Sequence, residues 1–257
     1  MYRATILLLA LVFATTLMAQ GPPITTETPV MLGLEGNGIR TFGKFISTEK
    51  AKVYVQPIGI PYNVTSKFQI GTVLPFKVIK PNEQSAVKGL SDIAVFAKLQ
   101  LYKKDGTAKT FRILAAIKET FPTAKTTTTP QLGTGLFQTY LGLIFGRISS
   151  KAGLYGDFGI NIPSGGATKN LIYNLSFGVP LLPQQYPQKQ LNLFLEMNGN
   201  YIPVADANTL FLSPGLQFIP GRRVLFEVSY QYPIIQPGNT LNKTNYRFLL
   251  GTRFLIN

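Results

Sequence analysis

The sequence predicts an all-β protein, a single antiparallel barrel that crosses a membrane with about twelve strands, within a range of ten to fourteen. Three observations carry that expectation. Apolar and polar residues alternate along most of the chain, the alternating segments are long, and aromatic residues bracket their apolar faces. Mean hydropathy is positive at +0.15, and charged residues make up 14% against about 25% in ordinary soluble domains. Yet the longest unbroken apolar run, Ile6–Ala14, has nine residues, and a spanning helix needs about 20. Strands must therefore do the crossing.

In chain order, residues 1–19 read as a signal peptide. Arg3 gives the basic start, Ile6–Leu17 the apolar stretch, and Leu17-Met18-Ala19 a small residue at the cut. Residues 20–39, rich in Gly, Pro and Thr, are expected to form a loose periplasmic lead-in, and 40–257 the barrel. Strand patterns lie at 40–48 and 51–60, both weaker, then at 67–78, 91–103, 110–121, 136–148 and 152–162. They continue at 170–179, 191–201, 209–219, 224–232 and 244–256. No stretch sustains a helical period. In 191–201, Leu191, Leu193, Leu195, Met197 and Tyr201 share one face and Asn192, Glu196, Asn198 and Asn200 the other, with Phe194 the exception. Pro75 and Pro214 fall inside strand patterns without an N–H to give, so a bulge or an early end is expected there.

Length and aromatic placement separate a membrane barrel from a soluble sandwich. Most patterns run about 10–13 residues, whereas soluble strands usually run about 5–6. Phe68 and Phe76 bracket one apolar face, Phe111 and Phe121 a second, Phe137 and Phe145 a third, Tyr246 and Phe254 a fourth. Eight to ten residues at about 3.3 Å each, tilted by about 40°, span roughly 20–25 Å along the membrane normal. That matches an apolar band of about 25 Å between two aromatic girdles. Twelve strands put both termini on one side with the tight connectors 149–151 and 220–222; Pro122–Thr134, Gln236–Lys243 and Pro81–Gly89 lie opposite. The connector Pro180–Gln188 is long for the side it falls on.

If the apolar face meets lipid, the other face lines a lumen. Candidate lining residues are Lys67, Lys98, Arg112, Lys118, Tyr140, Asp157, Glu196, Glu227, Arg247 and Arg253. The acids are expected to pair across the lumen, since unpaired buried charge is costly. The basic excess leaves room for a pore that favours anions or polarisable aromatic solutes. Twelve strands enclose less space than the 16–18 of porins.

Composition excludes much chemistry. With no Cys and no His, the chain lacks disulfides, thiol nucleophiles, the commonest catalytic base and the commonest transition-metal ligand. Gly33–Gly38 is Gly-rich but lacks the Lys and the strand–turn–helix setting of a phosphate loop. No enzyme, cofactor or metal is expected. The net charge of +14 is spread along the chain rather than clustered, which points to acidic lipid head groups and away from nucleic acid.

Several short motifs resemble a known family. Gly89-Leu90-Ser91-Asp92 leads into a strand, Phe121-Pro122-Thr123 closes one and Leu132-Gly133-Thr134-Gly135 opens the next. Leu212-Ser213-Pro214-Gly215-Leu216 and a last strand ending near Phe254 follow. Over about residues 85–256 the chain resembles the bacterial outer-membrane barrel family labelled MetA-pathway of phenol degradation. Ala124 stands where that family usually has Gly, and Leu255, Ile256 and Asn257 follow the terminal aromatic. The resemblance implies a transporter-like barrel with no catalytic residues.

The leading expectation is a passive outer-membrane channel for small solutes, aromatic or anionic. Outer-membrane lipid, the barrel-assembly machinery and the solute would be its partners. A plugged structural or adhesion barrel is the second reading, and a secreted soluble β-sandwich that binds a ligand the third.

Overall fold

In the computed structural model, residues 21–183, 189–237 and 243–256 are described; the signal-peptide expectation lies outside them. The first strands are β1 (Gly38–Thr48), β2 (Ala51–Thr65), β3 (Phe68–Pro81), β4 (Val87–Leu90), β5 (Ala94–Gly106), β6 (Lys109–Thr120) and β7 (Gln138–Ser149). The chain continues through β8 (Gly153–Pro163), β9 (Asn170–Pro180), β10 (Gln190–Ile202), β11 (Ala207–Ile219), β12 (Val224–Ile235) and β13 (Thr244–Leu255). Among the described residues the sole helical element is a 3-10 turn at Pro203–Ala205. All pairings are antiparallel. Consecutive strands pair except β4 with β5, β3 pairs with β5, and β1 pairs with β13 from Gly38↔Leu255 to Thr48↔Thr244. The ring closes with twelve strands. β4 stands outside the count, as a short addition along the far half of β3.

The alternation folds as the pattern demands. On β10, Asn192, Phe194, Glu196 and Asn198 are buried inside, while Leu193, Leu195 and Met197 are exposed outside. Carrying that face through the register around the ring puts Asp157, Ser176, Ser213, Gln217, Glu227, Ser229 and Gln231 inside as well. A lipid-facing wall has this inversion, with an apolar exterior and polar groups within. Breaks in the pairing register fall at Ser47/Thr48, Asn63/Thr65, Gln100/Tyr102 and Leu210/Phe211.

The two prolines behave differently from expectation. Pro75 ends nothing: it faces Pro57 where the β2–β3 register runs without interruption and marks where the other edge of β3 changes partner from β5 to β4. Pro214 keeps its place opposite Leu195 on β10, while its β12 edge skips from Leu212 to Gly215. In each case the missing N–H coincides with a gap in the ladder.

The lead-in is the larger correction. Residues 21–32 are not a loose tail on the terminal side, because they pack inside the ring, and the exposed Gly33–Glu35 turn then leads into β1. Ile24 packs on Tyr155 and Phe194, and Met31 packs on Leu114 and Ile144. A Pro- and Gly-rich segment brings many unpaired backbone groups, and a polar lumen offers them partners. Beyond the opposite rim, the 121–137 connector folds back so that Ala124 and Leu132 pack on Ile79, with Val53, Ala51 and Val87 around them. Asp92 fastens it, accepting from the N–H groups of Ala124 (3.1 Å) and Thr134 (2.7 Å).

Candidate functional site

The site is the lumen, and its residues sort by charge. Of the inward acids, Glu196 on β10 is held by the internal segment. Its carboxylate accepts from the N–H groups of Ile24 (2.7 Å), Thr25 (3.0 Å) and Thr26 (2.8 Å) and from the Thr26 hydroxyl (3.0 Å). Asp157 on β8 accepts from Glu27 N–H (2.8 Å) and the Asn174 amide (2.8 Å). Glu227 on β12 sits between Arg40 (3.0 Å) and Arg253 (2.8 Å), which face each other directly across β1 and β13. The same two arginines donate to the carbonyls of Ile24 and Pro23. Gln217 and Tyr155 hold the carbonyls of Pro22 and Gly21 (2.7 and 3.2 Å). Every inward carboxylate of the β8–β13 wall is thus satisfied, as buried charge requires.

The opposite wall is basic and aromatic. A cavity of about 420 Å3 lies between the internal segment and the β1–β7 side, lined by Arg40, Lys44, Lys98 and Lys118 with Phe42, Phe96 and Tyr140. These groups come in couples. Arg40 lies 4.7 Å from the Phe42 ring centre, Lys98 5.7 Å from Phe96, and Lys118 5.6 Å from Tyr140. The Tyr140 ring lies flat along the wall because its neighbours are glycines. A Cβ on Gly142 would come within 2.4 Å of the Tyr140 hydroxyl, and one on Gly159 within 2.6 Å of the ring. Lys98 also pairs with Glu27 of the internal segment at 2.6 Å. A second cavity of about 300 Å3 lies on the terminal side, and Thr28, Val30 and Leu32 line both. That stretch is the partition between them.

Of the residues proposed from sequence for the lumen, Lys98, Arg112, Lys118, Tyr140, Asp157, Glu196, Glu227, Arg247 and Arg253 occupy inward positions of the register. Lys67 does not. It is exposed in the β2–β3 turn, one residue before the strand begins, so the alternation had been carried a step too far. Arg112 lies apart from the cavity, about 4.0 Å from Asp105. The predicted aromatics occupy the outward phase. Phe68, Phe111, Phe145 and Phe254 lie toward the terminal end, and Phe76, Phe121, Phe137 and Tyr246 toward the other. Phe121 and Phe137 sit one residue beyond their strands and meet edge to face at 5.9 Å.

Sequence reasoning missed Arg40, Lys44 and Phe42, on a strand whose pattern was weak, together with the whole internal segment. One signal was available. Phe194, the exception to the β10 alternation, is the residue on which Ile24 sits.

No family model matches the chain and no curated protein matches it in sequence. Solved structures do. An outer membrane channel from Pseudomonas putida F1 superposes with a TM-score of 0.66 at 13% identity, covering 92% of this chain and 100% of that one. The KdgM porin, solved in complex with disordered oligogalacturonate, has a TM-score of 0.52 at 7% identity, over 84% of this chain and 98% of its own. The beta domain of the Bordetella autotransporter BrkA has 0.52 at 15% identity, over 85% and 98%. At these identities the likeness is one of fold, that of an outer-membrane-type β-barrel.

Proposed function

We propose that the protein is a narrow outer-membrane channel that admits small solutes passively, with a preference for anions carrying an aromatic or other flat apolar part. One observation carries the reading: the division of the lumen into a satisfied acidic wall and a basic wall that faces open space. The three cation–aromatic couples suit such a solute, the rings meeting its flat face and the Lys and Arg groups its carboxylate. The cavity of about 420 Å3 is within the range that holds a small organic molecule. In this reading the two outward tiers of aromatics mark the membrane interfaces and the tight turns lie in the periplasm. Lipid and the barrel-assembly machinery are its partners in the membrane.

Planar-bilayer recordings of the refolded protein test the proposal. Small unitary conductances with a reversal potential favouring anions in a salt gradient are expected, together with liposome swelling by benzoate. Absence of both conductance and swelling refutes the channel. A plugged structural barrel is the second reading. It is favoured by the internal segment, whose Thr28–Leu32 stretch partitions the lumen, and it predicts that silent outcome.

A further inference from the structure

One pair of lumen cations spans the seam where the two walls meet. Lys44 on β1 and Arg247 on β13 point inward at diagonal positions, since Lys44 faces Leu249 and Ile46 faces Arg247. Along the strands they lie beyond the Glu227 tier. Arg247 is opposite Gln231, four residues up the β12–β13 ladder from the Glu227↔Gly251 pair, about 13 Å away. Among the described residues no carboxylate forms an ion pair with Lys44 or Arg247. Arg247 is stacked on the Phe211 ring, 3.8 Å from its centre, and its Nε is buried without a hydrogen-bond partner. The inward acids of the β8–β13 wall are taken up by other partners, so this part-buried pair of cations has no counter-charge among the described residues and the Arg247 Nε has no acceptor.

We propose that Lys44 and Arg247 form an anion-binding station on the side of the lumen away from the termini, taking a carboxylate or phosphate group with Phe211 beside it. An anion between them supplies the missing counter-charge and an acceptor for the Arg247 Nε. Lys44 also lines the larger cavity, so an anion released from the station is already at the cation–aromatic couples. The station stands whether or not the barrel conducts.

The test is the melting of the refolded barrel in detergent, followed by heat-modifiable gel migration, in phosphate and in chloride at equal ionic strength. Phosphate is expected to raise the midpoint over chloride by about 2–4 °C in the wild type. The gain should survive Lys104→Gln, at an exposed outward position of β5, and vanish in Lys44→Gln/Arg247→Gln. The same gain in the double variant, which reports general salting-out, or no gain in the wild type overturns the proposal. Should the double variant not fold, Lys44→Met takes its place with the same criterion. If the barrel conducts, the double variant should also lose anion preference. If it is silent, the melting comparison still decides, so failure of the station and failure of the channel remain distinguishable.

Discussion

Replacing Glu196 by Gln should unseat the internal segment while leaving the barrel wall intact. The native carboxylate collects N–H groups from three consecutive residues, at 2.7 Å from Ile24, 3.0 Å from Thr25 and 2.8 Å from Thr26, and the Thr26 hydroxyl as well. Gln keeps one acceptor oxygen and turns an NH2 group toward the remaining donors. Two of the charge-assisted bonds are lost and the others become neutral, a net cost of about 2–4 kcal/mol. That raises the population of the released segment by about 30- to 700-fold. The chain has no Cys, so a single reporter can be placed at will. Pro29 is buried and lies outside the clasp, and Pro29→Cys should react with a water-soluble maleimide in proportion to the open population. Labelling at least 30-fold faster in the Glu196→Gln background is expected, with an unchanged midpoint of wall melting. Equal labelling rates in the two backgrounds would show that the carboxylate does not hold the segment.

Three other outcomes follow from the same geometry. Glu227→Gln leaves Arg40 and Arg253 directly opposed without a counter-charge, so the wall should lose about 3–5 kcal/mol. The heat-modifiable transition should then fall by roughly 6–20 °C; a smaller shift argues that the two arginines find solvent instead. The desolvation of the lumen is outweighed by Lys98, 2.6 Å from Glu27 and backed by Arg40 and Lys118, which holds that carboxyl at about 2. A depressed folded value means the tie is complete above about 4.5 and fades as pH falls toward about 2. The labelling difference between wild type and Glu27→Gln should therefore be constant from pH 8 to 5 and close only below. Finally, Asp92→Ala removes the acceptor for Ala124 and Thr134 at a cost of about 1–3 kcal/mol. Trypsin should cut faster after the exposed Lys125, measured as the half-life of the intact band.

Much of the wall was legible because each strand meets two unlike environments, and a period of two records both. Twelve of the strand patterns correspond to wall strands, and β4 escaped because four residues, Val87–Leu90, carry too short an alternation to register. The internal segment escaped for a different reason. Most of its partners lie 71 to 230 residues away, as in Glu27 with Lys98 and Pro23 with Arg253, and most of the polar ones engage its backbone. Pro22, Pro23 and Gly21 describe a bend equally well wherever it lies. What the sequence did carry was negative relief: Phe194 on β10 breaks a run of polar inward residues, and Leu114 and Ile144 interrupt the basic and aromatic inward positions of β6 and β7, and the segment packs on all three. The motif Gly89–Asp92 has a similar explanation in the Asp92 clasp on the returning connector.

The internal segment runs straight into β1, and β1 is the strand that seals the ring against β13. Arg40 and Arg253 take part in both events, bridging the seam through Glu227 while gripping the carbonyls of Ile24 and Pro23. Order of synthesis runs the other way, since residues 21–37 emerge first and the side chains that receive them arrive last. The Arg253 contact to Pro23 exists only once the final strand is in place, so closing the seam also completes the grip on the segment. A ring left open at that seam lacks one of the two arginine holds on the segment, and the completed one carries its own bolt, drawn from within.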